Sequence, residues 1–280
     1  MGLLEGKVAL VTGAAGGLGR EIALSFVREG ASLVVADLGV AKDGSSPSGD
    51  PVRSIAAEIT AMGGVAVPVW GSVSAATDVE AMVQTAVGQL GRLDVVTHLA
   101  GFVVEKTLVK TDDLLFDDTI ATILRGTFLV VREAARAMAK LGSPGSIVVC
   151  SSAAAFYGQV AQAHYAAANA GVVALARTAA IELKKQGTRV NVLVPLARTR
   201  MTEELPMFRT VTEATMGPAF VAPVALFLAS DLSRDVTGEV VGAAGGRVYA
   251  FKTREANGAF RERPWSPEEI RDAWSSVTKV

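Results

Sequence analysis

The run Thr12-Gly13-Ala14-Ala15-Gly16-Gly17-Leu18-Gly19 joins the end of an apolar stretch to the start of an amphipathic one. Glycine allows the tight turn at Gly13, lets backbone approach a pyrophosphate at Gly17, and permits close helix packing at Gly19. The unpaired amides at the helix start add partial positive charge. The apolar residues 8–12 before the turn, and Ile22, Leu24, Phe26 and Val27 after it, set it between a strand and a helix. Asp37 ends the next apolar run, where a carboxylate accepts hydrogen bonds from the adenosine ribose hydroxyls. That carboxylate repels a 2′-phosphate, and no basic residue lies in the turn or just before Asp37. The pattern therefore favours NAD(H) over NADP(H), with Lys42 in the following loop as the opposing consideration.

The elements that must position this turn follow from periodicity. Short β-branched runs at 8–12, 32–37, 65–69, 93–99, 146–151, 189–194 and 239–241 read as strands. Helical patterns lie between them at 17–29, 52–62, 75–90, 113–140, 163–185 and 222–228. This alternation predicts an α/β protein: a single Rossmann-type, doubly wound, seven-stranded parallel sheet with helices on both faces. The expected dinucleotide-binding domain, active site included, spans 1–246, and a C-terminal tail spans 247–280. In that tail Ser266 can cap, Pro267 suits a first helical position and Glu269 can close a capping box, so a short helix is expected there. The Gly-, Ser- and Pro-rich stretch 38–50 reads as an exposed loop.

The chain has 280 residues, half of them apolar, enough for one large core. With 27 basic against 28 acidic residues, it has no net basic field to attract nucleic acid or an anionic membrane, so a small-molecule substrate is expected. The single cysteine, Cys150, sits in an apolar run, reads as a small buried residue, and can form no intrachain disulfide. No cluster of cysteines or histidines has metal-ligand spacing. The N-terminus has no basic segment followed by a long apolar stretch, which predicts a cytoplasmic protein.

The spacing T-G-x-x-x-G-x-G, with Ser152 and Tyr165 thirteen residues apart, resembles the short-chain dehydrogenase/reductase family over nearly the whole chain. Within it the chain is most similar to the (3R)-hydroxyacyl-CoA dehydrogenase part of multifunctional β-oxidation enzymes. The matching stretches are Val35-Ala36-Asp37-Leu38-Gly39, Leu124-Arg125-Gly126-Thr127-Phe128, Ser151-Ser152-Ala153 with Tyr157-Gly158, Arg200-Met201-Thr202, and Pro267-Glu268-Glu269 followed by Trp274. The resemblance implies that Tyr165 acts as acid or base toward the substrate oxygen and that Ser152 hydrogen-bonds that oxygen. It implies cofactor contacts at Gly13, Gly17, Leu18, Gly19, Asp37, Val73, Ala100, Gly101, Tyr165, Asn169, Pro195 and Thr199. It also implies a ketone or acyl thioester substrate, and a homodimer or homotetramer built on the helices at 113–140 and 163–185, whose many small residues allow close approach.

The chain departs from the family where the chemistry is concentrated. Asn169 stands where the family has a lysine that holds the nicotinamide ribose and lowers the tyrosine pKa. A neutral amide can bond a ribose but supplies no charge, so alcohol oxidation, which begins by proton removal, should suffer more than carbonyl reduction. His98-Leu99-Ala100-Gly101 replaces an Asn-Asn-Ala-Gly segment, Ile123 replaces a polar residue, Gly71 replaces the aspartate that meets the adenine amino group, and Leu196 follows Pro195 in place of glycine. Weaker cofactor binding and atypical catalysis are the expectation.

Three readings stay open from the residues: an oxidoreductase working without the lysine, a non-redox acid-base enzyme using Tyr165, and a non-catalytic cofactor-binding or subunit-partner protein. His98 and His164 are the two histidines and the candidates to restore a charge. Adjacent helical side chains point about 100° apart, so His164 is expected to face away from Tyr165. Phe156, Tyr157 and Met201 are candidates for a substrate pocket, 200–215 including Pro206 for a lid, and Arg198 and Arg200 either for an anionic substrate group or for surface ion pairs.

Overall fold

The computed structural model describes residues 2–41, 45–204 and 208–280; Lys42, Pro206 and the part of the expected lid around Pro206 lie outside the described residues. In chain order the elements are β1 (Val8–Thr12), α1 (Gly17–Arg28), β2 (Ser32–Asp37), α2 (Asp50–Ala61), β3 (Ala66–Trp70), α3 (Ala76–Leu90), β4 (Val95–His98) and α4 (Asp113–Thr119). A π-helical turn, Ile120–Arg125, leads into α5 (Gly126–Leu141). Then come β5 (Ser146–Cys150), α6 (Ala154–Tyr157), α7 (Ala163–Glu182), β6 (Arg189–Leu196), α8 (Glu213–Met216), α9 (Ala222–Ala229), β7 (Val240–Ala244), β8 (Arg247–Ala250), α10 (Pro267–Asp272) and α11 (Trp274–Val277).

The strands form one sheet in the order β3-β2-β1-β4-β5-β6-β7-β8. The order reverses at β1, which pairs in parallel with β2 on one side and β4 on the other. Such a switch point opens a crevice at the carboxyl ends of the two strands, here just beyond Thr12 and His98. All five residues of β1 are buried, as suits a strand covered on both faces.

The expected seven strands are joined by an eighth. Arg247–Ala250 runs antiparallel to β7, with Val241 opposite Ala250 and Ala244 opposite Arg247. It lies on the tail side of the boundary drawn at 246, and the chain divides instead after Ala250. The strand is four residues long and mostly exposed, so it carries no periodic signal; the Gly245-Gly246 turn returns the chain onto the edge of β7.

The helix expected over 113–140 is also interrupted. The Ile123 carbonyl accepts a 2.6 Å hydrogen bond from the Thr127 hydroxyl, and a Cβ on Gly126 would stand 2.9 Å from Val73 Cγ2. A π-turn here lets the helix pass close to the loop after β3.

The stretch Ala163–Gln186 has the length and hydropathy of a membrane span, yet it packs against β6 and the π-turn as a cover of the sheet. The unit beyond Ala250 is organised by Glu269. Its backbone amide donates to the Ser266 hydroxyl, its carboxylate accepts from the Ser266 amide, and Arg261 and Arg263 pair with it. The Arg263 guanidinium, the Ser266 amide and Arg261 together pull the Glu269 carboxyl down to about 2.

Candidate active site

The turn after β1 is shaped by contacts that exclude side chains. Gly13 has φ +70°, and a Cβ there would sit 2.8 Å from the Ala100 amide nitrogen, because the chain leaving β4 passes directly beneath it. A Cβ on Gly19 would fall 1.9 Å from the Gly13 carbonyl oxygen, so α1 can approach β1 only through glycine. Gly19→Ala is expected to destabilise the fold by roughly 1–3 kcal/mol through overpacking and to abolish dinucleotide binding. A melting curve and an NADH titration unchanged from wild type would contradict this. Gly16, the residue before α1, contributes no side-chain cap, which leaves the first amides of the helix available to an anion.

Asp37 is held at the mouth of the turn. One carboxylate oxygen accepts from the Ala15 amide at 2.8 Å and the other from the Gly39 amide at 2.7 Å. Together these residues border a cavity of about 440 Å³. Of the residues singled out from sequence, Gly13, Gly17, Leu18, Gly19, Asp37, Val73, Ala100, Gly101 and Thr199 line it. So do Met201 and Arg200, whose guanidinium donates to the Val40 carbonyl at 3.1 Å. Arg198 pairs with Glu203 at 3.8 Å instead of facing the cavity. Tyr157 is 78% exposed, which takes it out of the expected substrate pocket.

Ser152, Tyr165 and Asn169 form a second cluster, adjoining the cavity at Cys150. Ser152 follows the end of β5, and its hydroxyl accepts from the Ala154 amide at 3.2 Å, two residues on. Tyr165 and Asn169 lie one helical turn apart on α7, and the Asn169 amide donates to the Tyr165 carbonyl at 2.9 Å. The Ser151 hydroxyl donates to the Asn169 carbonyl at 3.0 Å, which ties α7 to the end of β5. Burial pushes the Tyr165 hydroxyl up to about 12, reinforced by the Cys150 thiol, while hydrogen bonding to Ser152 and Asn169 works the other way. No cation is among the groups that shift it. Pro195 pairs with Ala243 near the carboxyl end of β6 and is not among the residues that border the cavity.

The histidines do not restore the charge. His98 Nδ1 shares a 2.7 Å hydrogen bond with the Thr12 hydroxyl, and burial lowers its pKa to about 4, so it is neutral at physiological pH. His164 Nε2 meets the Val104 carbonyl at 3.1 Å, turned away from Tyr165 as the helical angle predicts. Among the described residues no group of three His, Cys, Asp or Glu side chains is placed to hold a metal ion.

Cys150 is what sequence reading missed. It lines the cavity instead of being enclosed in the core, and burial pushes its thiol up to about 12. The signal was its place at the carboxyl end of a central strand, where open α/β sheets present residues to ligands.

This arrangement fits a nicotinamide dinucleotide: a side-chain-free turn, uncapped helix amides and a carboxylate at the ribose position all border one cavity. A family profile described as enoyl-(acyl carrier protein) reductase matches residues 13–247. The hydroxyacyl-CoA dehydrogenase ChsB1 of Mycobacterium tuberculosis is 39% identical, over 95% of this chain and 87% of its own length. The mouse peroxisomal multifunctional enzyme type 2 is 36% identical over 98% of this chain; the chain spans 37% of that enzyme's length and 46% of its Drosophila melanogaster counterpart's. A short-chain dehydrogenase from Mycobacterium avium, 38% identical, superposes with a TM-score of 0.86 over 99% of this chain and 96% of its own. Carveol dehydrogenase from the same organism, solved in complex with NAD, is 28% identical with a TM-score of 0.78 over 86% of this chain and 97% of its own. The chain belongs to the short-chain dehydrogenase/reductase family.

Proposed function

We propose that the protein acts on the 3-oxo or 3-hydroxy group of an acyl thioester with NAD(H), and works best in the direction of carbonyl reduction. The observation that carries the direction is the Tyr165 hydroxyl, held near 12 by burial with no cation to lower it. A group with that pKa keeps its proton at neutral pH and serves as a donor to a carbonyl oxygen. Ser152, hydrogen-bonded to Tyr165, holds the same oxygen and aims it at the phenol. The dinucleotide, when bound, supplies or accepts the hydride. The thioester class is supported by the hydroxyacyl-CoA dehydrogenase relative and by a 3-oxoacyl-(acyl-carrier-protein) reductase from Thermotoga maritima, 36% identical over 88% of this chain.

NAD(H) over NADP(H) rests on Asp37, whose carboxylate faces the ribose position with both oxygens fixed by backbone amides. Purified protein, NADH or NADPH, and a panel of 3-oxoacyl thioesters and simple ketones provide the test. Consumption of NADH with the thioesters is expected. Turnover confined to simple ketones would remove the substrate class, and a preference for NADPH would remove the cofactor assignment. Product formed without NADH consumption, and lost in Tyr165→Phe, would replace the redox reading by acid-base chemistry.

A homodimer or homotetramer belongs to the same proposal. Between α5 and α7 lies an open groove of about 350 Å³ whose walls include Val131, Ala135, Ala139, Leu175 and Ala179. Phe128 in its wall is 43% exposed, apolar surface that a second copy would cover. Ala135→Arg is expected to convert the wild-type oligomer to monomer in light scattering at micromolar concentration. A monomeric wild type would refute the assembly.

A further inference from the structure

The cavity carries an imbalance of charge. Its described walls hold the carboxylates of Asp37 and Asp118 and one cationic side chain, Arg200. A pyrophosphate at the turn after β1 adds further negative charge to that set. The uncapped amides of α1 supply partial positive charge, which falls off within the first helical turn. A guanidinium is the fuller counterpart, because its charge is permanent and its planar fork matches phosphate oxygens in pairs.

Arg200 is placed for this by its neighbours. Thr199 stands across from the turn, where a Cβ on Gly17 would lie 3.7 Å from Thr199 Cβ. From the next position the Arg200 side chain leaves the loop after β6 and reaches the loop after β2, where Nη2 donates to the Val40 carbonyl at 3.1 Å. It therefore crosses the cavity from the side next to Gly17 to a point just beyond Asp37. The backbone that carries it is held without its help: the Thr202 hydroxyl donates to the Ala197 carbonyl at 2.6 Å and accepts from the Thr199 amide at 2.9 Å. Among the described residues the Val40 carbonyl is the hydrogen-bond partner of the guanidinium. That partner is neutral and the arginine is exposed, so most of its five N–H donors stay available to an anion.

We propose that Arg200 clamps the pyrophosphate of the bound dinucleotide onto the turn after β1, exchanging the Val40 carbonyl for phosphate oxygens. The proposal rests on the nicotinamide dinucleotide reading of the cavity, and it assigns Arg200 to the cofactor in place of an anionic substrate group. A 2′-phosphate offers the same chemistry at the ribose end, but Asp37, fixed there by two backbone amides, repels it. Arg200 should therefore serve NADH and NADPH alike, since both carry the pyrophosphate.

The test is calorimetric titration of the full chain with NADH, NADPH and ADP-ribose at low and high salt, for wild type, Arg200→Gln and Arg200→Lys. Arg200→Gln should weaken all three ligands by about tenfold, the loss expected for a charge-assisted hydrogen bond. Arg200→Lys should recover part of that loss. Wild-type affinity should fall more steeply with ionic strength than that of Arg200→Gln, because the charge is what salt screens. Glutamine keeps an amide donor for Val40, so a mere tie between the two loops would survive the change. Unaltered NADH affinity in Arg200→Gln would overturn the proposal, and so would a loss that lysine does not relieve and salt does not affect. A loss confined to NADPH would move Arg200 to the 2′-phosphate, and a raised KM for an acyl-CoA with unchanged NADH affinity would move it to the substrate; either refutes the clamp. A wild type that binds none of the three at millimolar concentration would instead remove the cofactor reading, and this inference with it.

Discussion

Tyr165→Phe should lower turnover of 3-oxoacyl thioesters with NADH by about 10²–10⁴-fold, the usual contribution of a positioned general acid. NADH affinity should stay close to that of wild type, because Tyr165 is absent from the wall of the dinucleotide cavity. Single-turnover rates and an NADH titration on the same preparation separate the two effects. Phenylalanine preserves the ring and removes only the hydroxyl, and the helix stays tied to β5 through the Ser151 to Asn169 hydrogen bond. A folded Tyr165→Phe protein with undiminished turnover would dismiss Tyr165 as the acid. Ser152→Ala should lower turnover by a smaller factor, since the phenol still donates to an oxygen that is less well aimed.

Asn169→Lys should change the reaction in one direction only. With the Tyr165 hydroxyl near 12, about one molecule in 10⁴ carries the phenolate at pH 8, and that form is the one able to take a proton from an alcohol. Oxidation by wild type should therefore rise about tenfold per pH unit through the neutral range, with no plateau below pH 10. Reduction needs the protonated phenol, which is essentially fully populated there, and should be nearly independent of pH. An ammonium group one helical turn from Tyr165 favours the charged phenol and is expected to lower its pKa by about 1–3 units. Oxidation at pH 8 should gain by about 10–10³-fold, and its rising limb should move to lower pH by the same interval. Asn169→Gln adds length without charge and should leave the limb in place. The decisive measurement is the pH profile of hydroxyacyl thioester oxidation for the three proteins. A wild-type profile already flat from pH 7 to pH 9, or a limb unmoved by Asn169→Lys, would show that the missing charge does not govern the chemistry.

Much of the scaffold could be read from local pattern. β1 and β2 begin and end where their apolar runs do, and α1 starts at the glycine expected to open it. These are long-pattern features: a buried parallel strand is apolar throughout, and an amphipathic helix repeats every three to four residues. Short or interrupted elements carry no such signal. β8 is stabilised by its pairing with β7, and the break between α4 and α5 depends on the approach of Gly126 to Val73. Both are decided by contacts between segments distant in sequence.

The site divides in the same way. The residue types at Gly13, Gly19, Asp37, Ser152, Tyr165 and Asn169 are set by the sequence alone, and with them the capacity to bind a pyrophosphate and the absence of an ammonium group on the turn after Tyr165. Protonation belongs to the folded chain. His98 would titrate near neutrality in water, but the sheet buries it against Thr12 and holds it neutral. Burial likewise raises Tyr165 and Cys150, and neither shift can be read from neighbours in sequence. Sequence specifies which groups are available; their charge and reach depend on solvent exclusion and on contacts across the sheet, which only the tertiary structure supplies.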